Sequence, residues 1–408
     1  MPEAIVALGE SKRIVGRLRF ETDGRRQHSQ FEYAPEWLAD PDRFALSPAL
    51  PLRTGGFFSS GRDDKTSALS GCFADVAPDA WGRALMRKAL SGGLTEFDYL
   101  VLADDRTRQG ALRFLGEDLE PLSALNPPIP RLVELEELRA LAHRFESDPE
   151  GAEAEARRLA GADGSLGGAR PKANITEADG HLWIAKFTSV QDTKPVERAE
   201  IATLALARRC GLRVPDARLE LKASDSPIAL IRRFDRRGAT RIPYISARTA
   251  LDWSREEGAF YTDIGDVIRR ISAKPIDDLH ELWRRIVFTI LVSNKDDHLQ
   301  NHGFLYAGSD RWRLSPAFDI NPSPSRQRVL ETGIVEGGSF EASFDIALDA
   351  CEFFELTRDD AKLQAREMAE LIAANWKQAL LDEGMSASEA RSYEDAFVHV
   401  EAERAQAG

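Results

Sequence analysis

The sequence is short of cysteine, of positive charge and of long apolar runs. Only three cysteines occur among 408 residues. Cys72, Cys210 and Cys351 stand far apart, odd in number and without metal-ligand spacing, which argues against a disulfide framework or a cysteine zinc site and fits a reducing compartment. No segment approaches the ~18 consecutive apolar residues of a membrane-spanning helix. The Met-Pro-Glu-Ala start lacks the charged and then apolar pattern of a secretory signal, so a cytoplasmic location with no membrane partner is expected. Lys and Arg number 54 against 67 Asp and Glu, a net charge of -13. That balance excludes broad, sequence-independent attraction to nucleic acid, which depends on cations neutralising phosphates. DNA contact would need a local basic patch or a separate partner.

What is present is an ordinary globular composition, 43% apolar and 30% charged, over a length that suggests two or three domains. The first region, residues 1–125, mixes short strand-like alternations with turns. Ile14, Gly16, Leu18 and Phe20 share one parity, as a half-buried strand requires. LSPALPL (Leu46 to Leu52) is broken by two prolines, and Phe73 to Leu90 reads as a turn feeding a helix in which Asp79, Trp81 and Arg83 serve capping and packing. NPPIP (Asn126 to Pro130) excludes both helix and central strand and marks a boundary. Residues 126–234 form a second region and 235–408 a third, predominantly helical one.

The sequence is organised around LVSNKDDHLQNHGFL (Leu291 to Leu305) and LSPAFDIN (Leu314 to Asn321). Phosphoryl transfer needs little covalent help and much charge management. An Asp accepts the hydroxyl proton, while an Asn five positions on and a downstream Asp hold magnesium. Asp296, Asn301 and Asp319 have that order and spacing, although Asn294-Lys295-Asp296 and Asp319-Ile320-Asn321 depart from the usual kinase motifs. Other segments precede them in the order such a site needs. Gly161 to Ile175 places four glycines within eight residues, so that backbone N–H groups can approach phosphates, yet no Gly-Lys-Ser/Thr closes it as a Walker A loop. Lys186 lies inside a strand-like run where a lysine is awkward to bury alone. On the helix that follows, Glu197 or Glu200 can reach back to it. Arg232 to Phe234 end the strand expected to enter an adenine-binding hinge. Arg232, Arg233, Arg236, Arg237 and Arg241 form a basic cluster, read as pairing with surplus carboxylates. Nearer the end, Gly384 is read as a helix stop and Ser386 with Glu389 as a capping box.

GSLGGARPKA (Gly164 to Ala173), RRFDRR (Arg232 to Arg237), NKDDHLQN (Asn294 to Asn301) and AFDI (Ala317 to Ile320) together resemble the signature segments of the HipA family, the serine/threonine kinase toxins of bacterial type II toxin-antitoxin systems. The likeness spans almost the whole chain. It implies an α+β, two-lobed protein-kinase-like fold, with a mixed α/β N-terminal lobe and a mainly helical C-terminal lobe. It also implies ATP and Mg2+ as cofactors. Ser165 matches the family's inhibitory autophosphorylation site, and Leu166, Gly167, Gly168, Ala169, Arg170 and Lys172 fall in the phosphate-covering loop. Lys186 matches the ATP-phosphate lysine and Glu200 its preferred helix partner, while Arg232 and Phe234 match hinge positions contacting adenine. Asp296 is implied as catalytic base, with Asn301 and Asp319 as magnesium ligands. Asp297 and Gln300 depart from many relatives, and His298 supplies a usual histidine, read as a packing or loop-bonding residue. The implied partners are a HipB-like helix-turn-helix antitoxin, operator DNA mainly through that antitoxin, and a protein substrate of the aminoacyl-tRNA synthetase class. A small-molecule or lipid kinase of the same fold, or a catalytically idle co-repressor, stays open.

Overall fold

A computed structural model of the protein describes residues 2–23, 26–61, 67–90, 92–123, 129–163, 170–253 and 258–407. The chain divides into two compact units. The first comprises Met1–Val190, Arg232–Asp252 and Gly308–Asp310, and the second Gln191–Ile231, Trp253–Ala307 and Arg311–Gly408.

In the first unit the alternating segments become β1 (Glu3–Leu8), β2 (Arg13–Asp23), β3 (Arg26–Tyr33), β4 (Phe57–Gly61) and β5 (Leu112–Leu115). They form one sheet of order β4-β3-β2-β1-β5 with antiparallel neighbours. Val6 pairs with Gly16 but Ala7 pairs with Ile14, so Val15 is an extra residue on β2. Such a bulge shifts the alternation by one. It corrects the parity expected for Ile14: Leu18 and Phe20 are buried as expected, but Val15 takes the inward place and Ile14 is 40% exposed. Phe31 meets Tyr33 and Phe73 edge to face, with ring centroids 4.8 and 5.2 Å apart. The Tyr33 hydroxyl donates to the Leu50 carbonyl at 2.6 Å and accepts from the Leu46 amide at 3.0 Å. One phenol thus fixes the proline-broken LSPALPL segment to β3.

Asp79 caps the helix Ala80–Leu90, accepting from the Gly82 amide at 2.8 Å. Trp81 packs on Phe145 and donates its indole N–H to the Lys172 carbonyl at 3.2 Å. Arg83 forms an ion pair with Glu96. The capping and packing roles expected of Asp79, Trp81 and Arg83 hold. Helices Leu135–Ser147 and Glu153–Asp163 lead to an antiparallel hairpin of β6 (Lys172–Thr176) and β7 (Leu182–Phe187).

The second unit begins with the helix Val196–Arg209, which closes at Gly211 in the left-handed conformation (φ +80°). The Leu212 amide donates to the Ala207 carbonyl at 3.0 Å, satisfying one of the free carbonyls of a helix end. An antiparallel hairpin follows, β8 (Ala217–Glu220) and β9 (Ile228–Arg232). The other long helices are Tyr261–Ile271, Pro275–Val292 and Arg358–Asp382. Gly384 ends the last of these with φ +83°, and Ser386 with Glu389 forms the expected capping box. No described helix is long and apolar enough to cross a membrane. The sheets of the first unit and the helices of the second make the fold α+β, as the sequence implied.

Candidate active site

The helix Pro275–Val292 is the most apolar of the chain's long helices and delivers the Asp296 loop. Charges at its N-terminal half anchor it. Asp278, fully buried, accepts from Arg313 at 2.9 and 3.0 Å, from the Ser272 hydroxyl at 2.7 Å and from the Leu314 amide at 3.1 Å. Glu281 accepts from Arg285 at 2.9 and 3.1 Å, and Arg285 donates onward to the Ser315 carbonyl at 2.6 Å. Burial raises these carboxyls, and the neighbouring arginines outweigh it, so both are held below the usual carboxylate range. Arg213 adds a side-chain bond to Asp278 at 2.8 Å and a backbone N–H bond to Glu281 at 3.1 Å, so the helix, Arg213 and the 313–315 segment that leads to Asp319 are tied together.

At the other end Ser293 closes the helix in the left-handed region (φ +54°), although it is not glycine. Asp319 is left-handed as well (φ +57°). Non-glycine residues in this region carry strain that the surroundings must hold, and they concentrate at functional sites. Here the two strained segments are joined: the Asn321 amide donates to the Asn294 side chain at 3.2 Å, and the Ser323 amide donates to the Ser293 carbonyl at 3.1 Å.

Between these fixtures the two consecutive acids part company. Asp296 is exposed, whereas Asp297 is 5% exposed. Asp297 accepts from the Tyr261 hydroxyl, from Thr289 at 3.3 Å and from His302 at 3.1 Å, and its carbonyl accepts from Thr332 at 2.6 Å. Burial acts to raise its carboxyl, but His302 and the Tyr261 hydrogen bond prevail and lower it. The same surroundings push the Tyr261 phenol well up. Asp297 is thus the buried anchor that turns Asp296 outward.

Asn301 donates its side-chain N–H to the Asp296 carbonyl at 2.8 Å. With that nitrogen engaged, its amide oxygen is the group left to hold a cation. Asp319 accepts from the Asn321 side chain at 3.1 Å on one carboxylate oxygen. An amide oxygen and a carboxylate are hard oxygen donors, the set magnesium takes when substrate phosphates and water supply the rest. His298 caps the short turn Leu299–Asn301 through a 3.3 Å bond from the Gln300 amide, the loop-bonding role expected of it.

Glu197 and Glu200 are both buried on the helix Val196–Arg209 of the second unit, so neither is a solvated acid. In the first unit Lys186 is half-buried on β7, directly opposite Lys172 on β6. Lys172 is 2% exposed and ion-paired with Asp79 at 2.5 Å. Like charges directly opposite on a ladder are unfavourable, and Asp79 neutralises one of them. Arg170 is half-buried just before β6. Ser165, Leu166, Gly167, Gly168 and Ala169 lie outside the described residues. Arg232 and Phe234 are half-buried, with the Phe234 ring 6.3 Å from that of Tyr244. Between them, Arg233 sends its backbone N–H to the Leu182 carbonyl at 3.0 Å.

Residues 6–114 match the HipA N-terminal domain, and residues 164–380 match the HipA-like C-terminal domain. The chain belongs to the HipA family. A curated relative from Sinorhizobium fredii, named "Putative kinase Y4mE", is 27% identical over 334 residues, covering 76% of this chain and 74% of its own. A second from that organism, "Putative kinase Y4dM", is 33% identical over 159 residues, 35% of this chain and 38% of its own. A chain of the solved toxin-antitoxin complex of HipA, HipB and operator DNA from Shewanella oneidensis matches with a TM-score of 0.69 and 17% identity. It covers 99% of this chain and 96% of its own length, so the two share a fold from end to end.

The residues that sequence reasoning passed over are Asp297, Tyr261 and His302. Nothing in spacing links Tyr261 to a loop 36 residues away. The available signal was only a second acid, Asp297, directly after Asp296.

Proposed function

We propose that the chain is an ATP- and magnesium-dependent serine/threonine protein kinase, the toxin of a HipA/HipB-like toxin-antitoxin system. The observation that carries this reading is the outward Asp296 on a loop fixed from both sides, by Asp297 in the interior and by the Asn301 amide on its own carbonyl. In this reading Asp296 orients the hydroxyl of a target Ser or Thr and takes its proton. Asn301 and Asp319 hold magnesium, which neutralises charge on the transferring phosphoryl group. Lys186, with Glu200 or Glu197 as its partner, binds ATP phosphates together with Arg170 and the glycine loop, whose last residue, Lys172, is anchored on Asp79, and the backbone of Arg232 and Phe234 receives adenine.

Ser165, in that loop, is the autophosphorylation site. A phosphate there would repel the phosphates of ATP and shut the enzyme down. Residues 1–125 form the N-terminal subdomain, 126–234 the nucleotide-binding region and 235–408 the region of the catalytic loop. The expected partner is a HipB-like helix-turn-helix antitoxin, which supplies the basic surface for operator DNA that a chain of net charge -13 does not. The substrate is a protein, with aminoacyl-tRNA synthetases the first class to test. Membership of the family, the kinase names of its relatives and the composition of the Shewanella complex support this reading.

The test is intact-protein mass after incubation with Mg-ATP, for the wild type and Asp296→Asn in parallel, followed by peptide mapping. One phosphate on Ser165 in the wild type alone is the expected result. Absence of both phosphate and nucleotide binding, in a sample that starts unmodified, would sink the kinase reading in favour of a co-repressor.

A further inference from the structure

Three arginines of the basic cluster, Arg233, Arg236 and Arg241, fold their side chains inward, while Arg237 stays exposed. Arg233 is 5% exposed, and each of the five N–H groups of its guanidinium has an acceptor. The Nε–H donates to Asp235 at 2.9 Å; one terminal nitrogen donates to the Thr107 carbonyl and, at 2.8 Å, to Asn174. The other donates to the Arg108 carbonyl at 3.2 Å and to Asp235. Asp235 also accepts from the Gly110 amide and from Arg236, each at 2.7 Å. Arg236 in turn donates to the Arg108 carbonyl at 2.6 Å and the Gly110 carbonyl at 3.0 Å. Burial acts to raise the Asp235 carboxyl, but the two guanidinium groups outweigh it and hold it far below the usual range.

Every contact on the 107–110 side of this cluster is to backbone. The turn is gripped by its carbonyls and one amide, so what is held is its position and not its side chains. This turn closes the HipA N-terminal domain, which runs to residue 114. On the other side, Arg233 stands between Arg232 and Phe234, bonds Asn174 in β6, and fixes the start of β7 through the Leu182 carbonyl.

We infer that the HipA N-terminal domain is an intramolecular brace for the nucleotide hinge, and that Arg233, Asp235 and Arg236 are positioning residues that transmit its grip. The inference rests on the proposed reading of Arg232 and Phe234 as adenine-facing. A lysine at 233 cannot replace the fork, because it offers three donors from one point in place of five in a plane. The domain then has a direct bearing on ATP affinity, separate from any surface it offers a partner.

The test uses the full-length protein and Arg236→Gln, with Gly110→Ala as second variant, since a Cβ at Gly110 (φ +70°) would stand 3.2 Å from the Tyr244 amide and shift the turn. Expected for both are a KM for ATP about tenfold higher, a kcat within about twofold of wild type, and faster hydrogen exchange at the Arg233 amide. Unchanged KM for ATP in both variants, or a parallel fall in kcat without faster exchange at Arg233, would overturn the brace. If the wild type itself binds no Mg-ATP by calorimetry, the kinase reading falls instead. The exchange experiment reports on the brace without nucleotide.

Discussion

Two short segments, 232–236 in the first unit and 293–301 in the second, are built on one plan. In each, a residue assigned to substrate or nucleotide is followed by one locked in the interior: Arg232 by Arg233, Asp296 by Asp297. They differ in what the lock holds. Arg233 and its neighbours grip backbone atoms of a distant turn, whereas Asp297 is gripped by the side chains of Tyr261, Thr289 and His302. A backbone grip tolerates side-chain change at the far end, and a side-chain grip does not. The first segment should therefore be sensitive at Arg233, Asp235 and Arg236 and, at the far end, only to changes that move the backbone, as Gly110→Ala does; the second should be sensitive at residues far from it in sequence.

The sharpest break of the comparison is at the outward residue itself. Asp296→Asn should lower phosphoryl transfer by about 100-fold or more, the scale of general-base loss, with the thermal midpoint unchanged because the side chain is exposed. A folded variant that keeps full activity would remove Asp296 from the mechanism. Asp297→Ala should do the reverse in stability, costing about 1–3 kcal/mol by leaving Tyr261 and His302 without their acceptor, and should depress kcat more than the KM for ATP. Denaturant unfolding and steady-state kinetics on the same preparation read both quantities. Tyr261→Phe removes one hydrogen bond and keeps the ring, so about 1 kcal/mol is expected. A loss as large as that of Asp297→Ala would mean that the phenol, and not the whole cage, holds the loop.

The smallest effect is with pH. Burial and the nearby Arg328 push His399 down to about 4, and its ring bonds the Leu291 carbonyl at 3.3 Å, behind the second segment. A histidine depressed in the fold binds its proton more readily when unfolded. Its contribution is therefore present above its usual 6.5 and is lost as pH falls from there toward 4. Asp235 is depressed from an already low value and feels nothing in that window. Hydrogen exchange at pH 7 and 5, corrected for intrinsic rates, should show loosening near Leu291 but not at Arg233, and His399→Gln should abolish the difference. Equal loosening of both would contradict the assignment.

The order of motifs was legible in the sequence because it rests on local rules. Gly211 and Gly384 end helices, Ser386 and Glu389 make a capping box, and Asp79 starts a helix, all through contacts within a few residues. The Asp296–Asn301 pair was legible for the same reason: a five-residue spacing closes through one bond from the Asn301 side chain to the Asp296 carbonyl. The inward fate of Arg233, Arg236 and Arg241 was expected only as pairing with carboxylates, without partners.

The sequence by itself determined the α+β class, the family signature and which acid follows which. The tertiary structure alone decided that Asp297 and not Asp296 goes inside, that Val15 displaces Ile14 at a bulge, and that Arg233 holds a turn 126 residues away. Each of those outcomes depends on acceptors brought together from remote parts of the chain, and a buried charge can be placed only where all of its partners already meet.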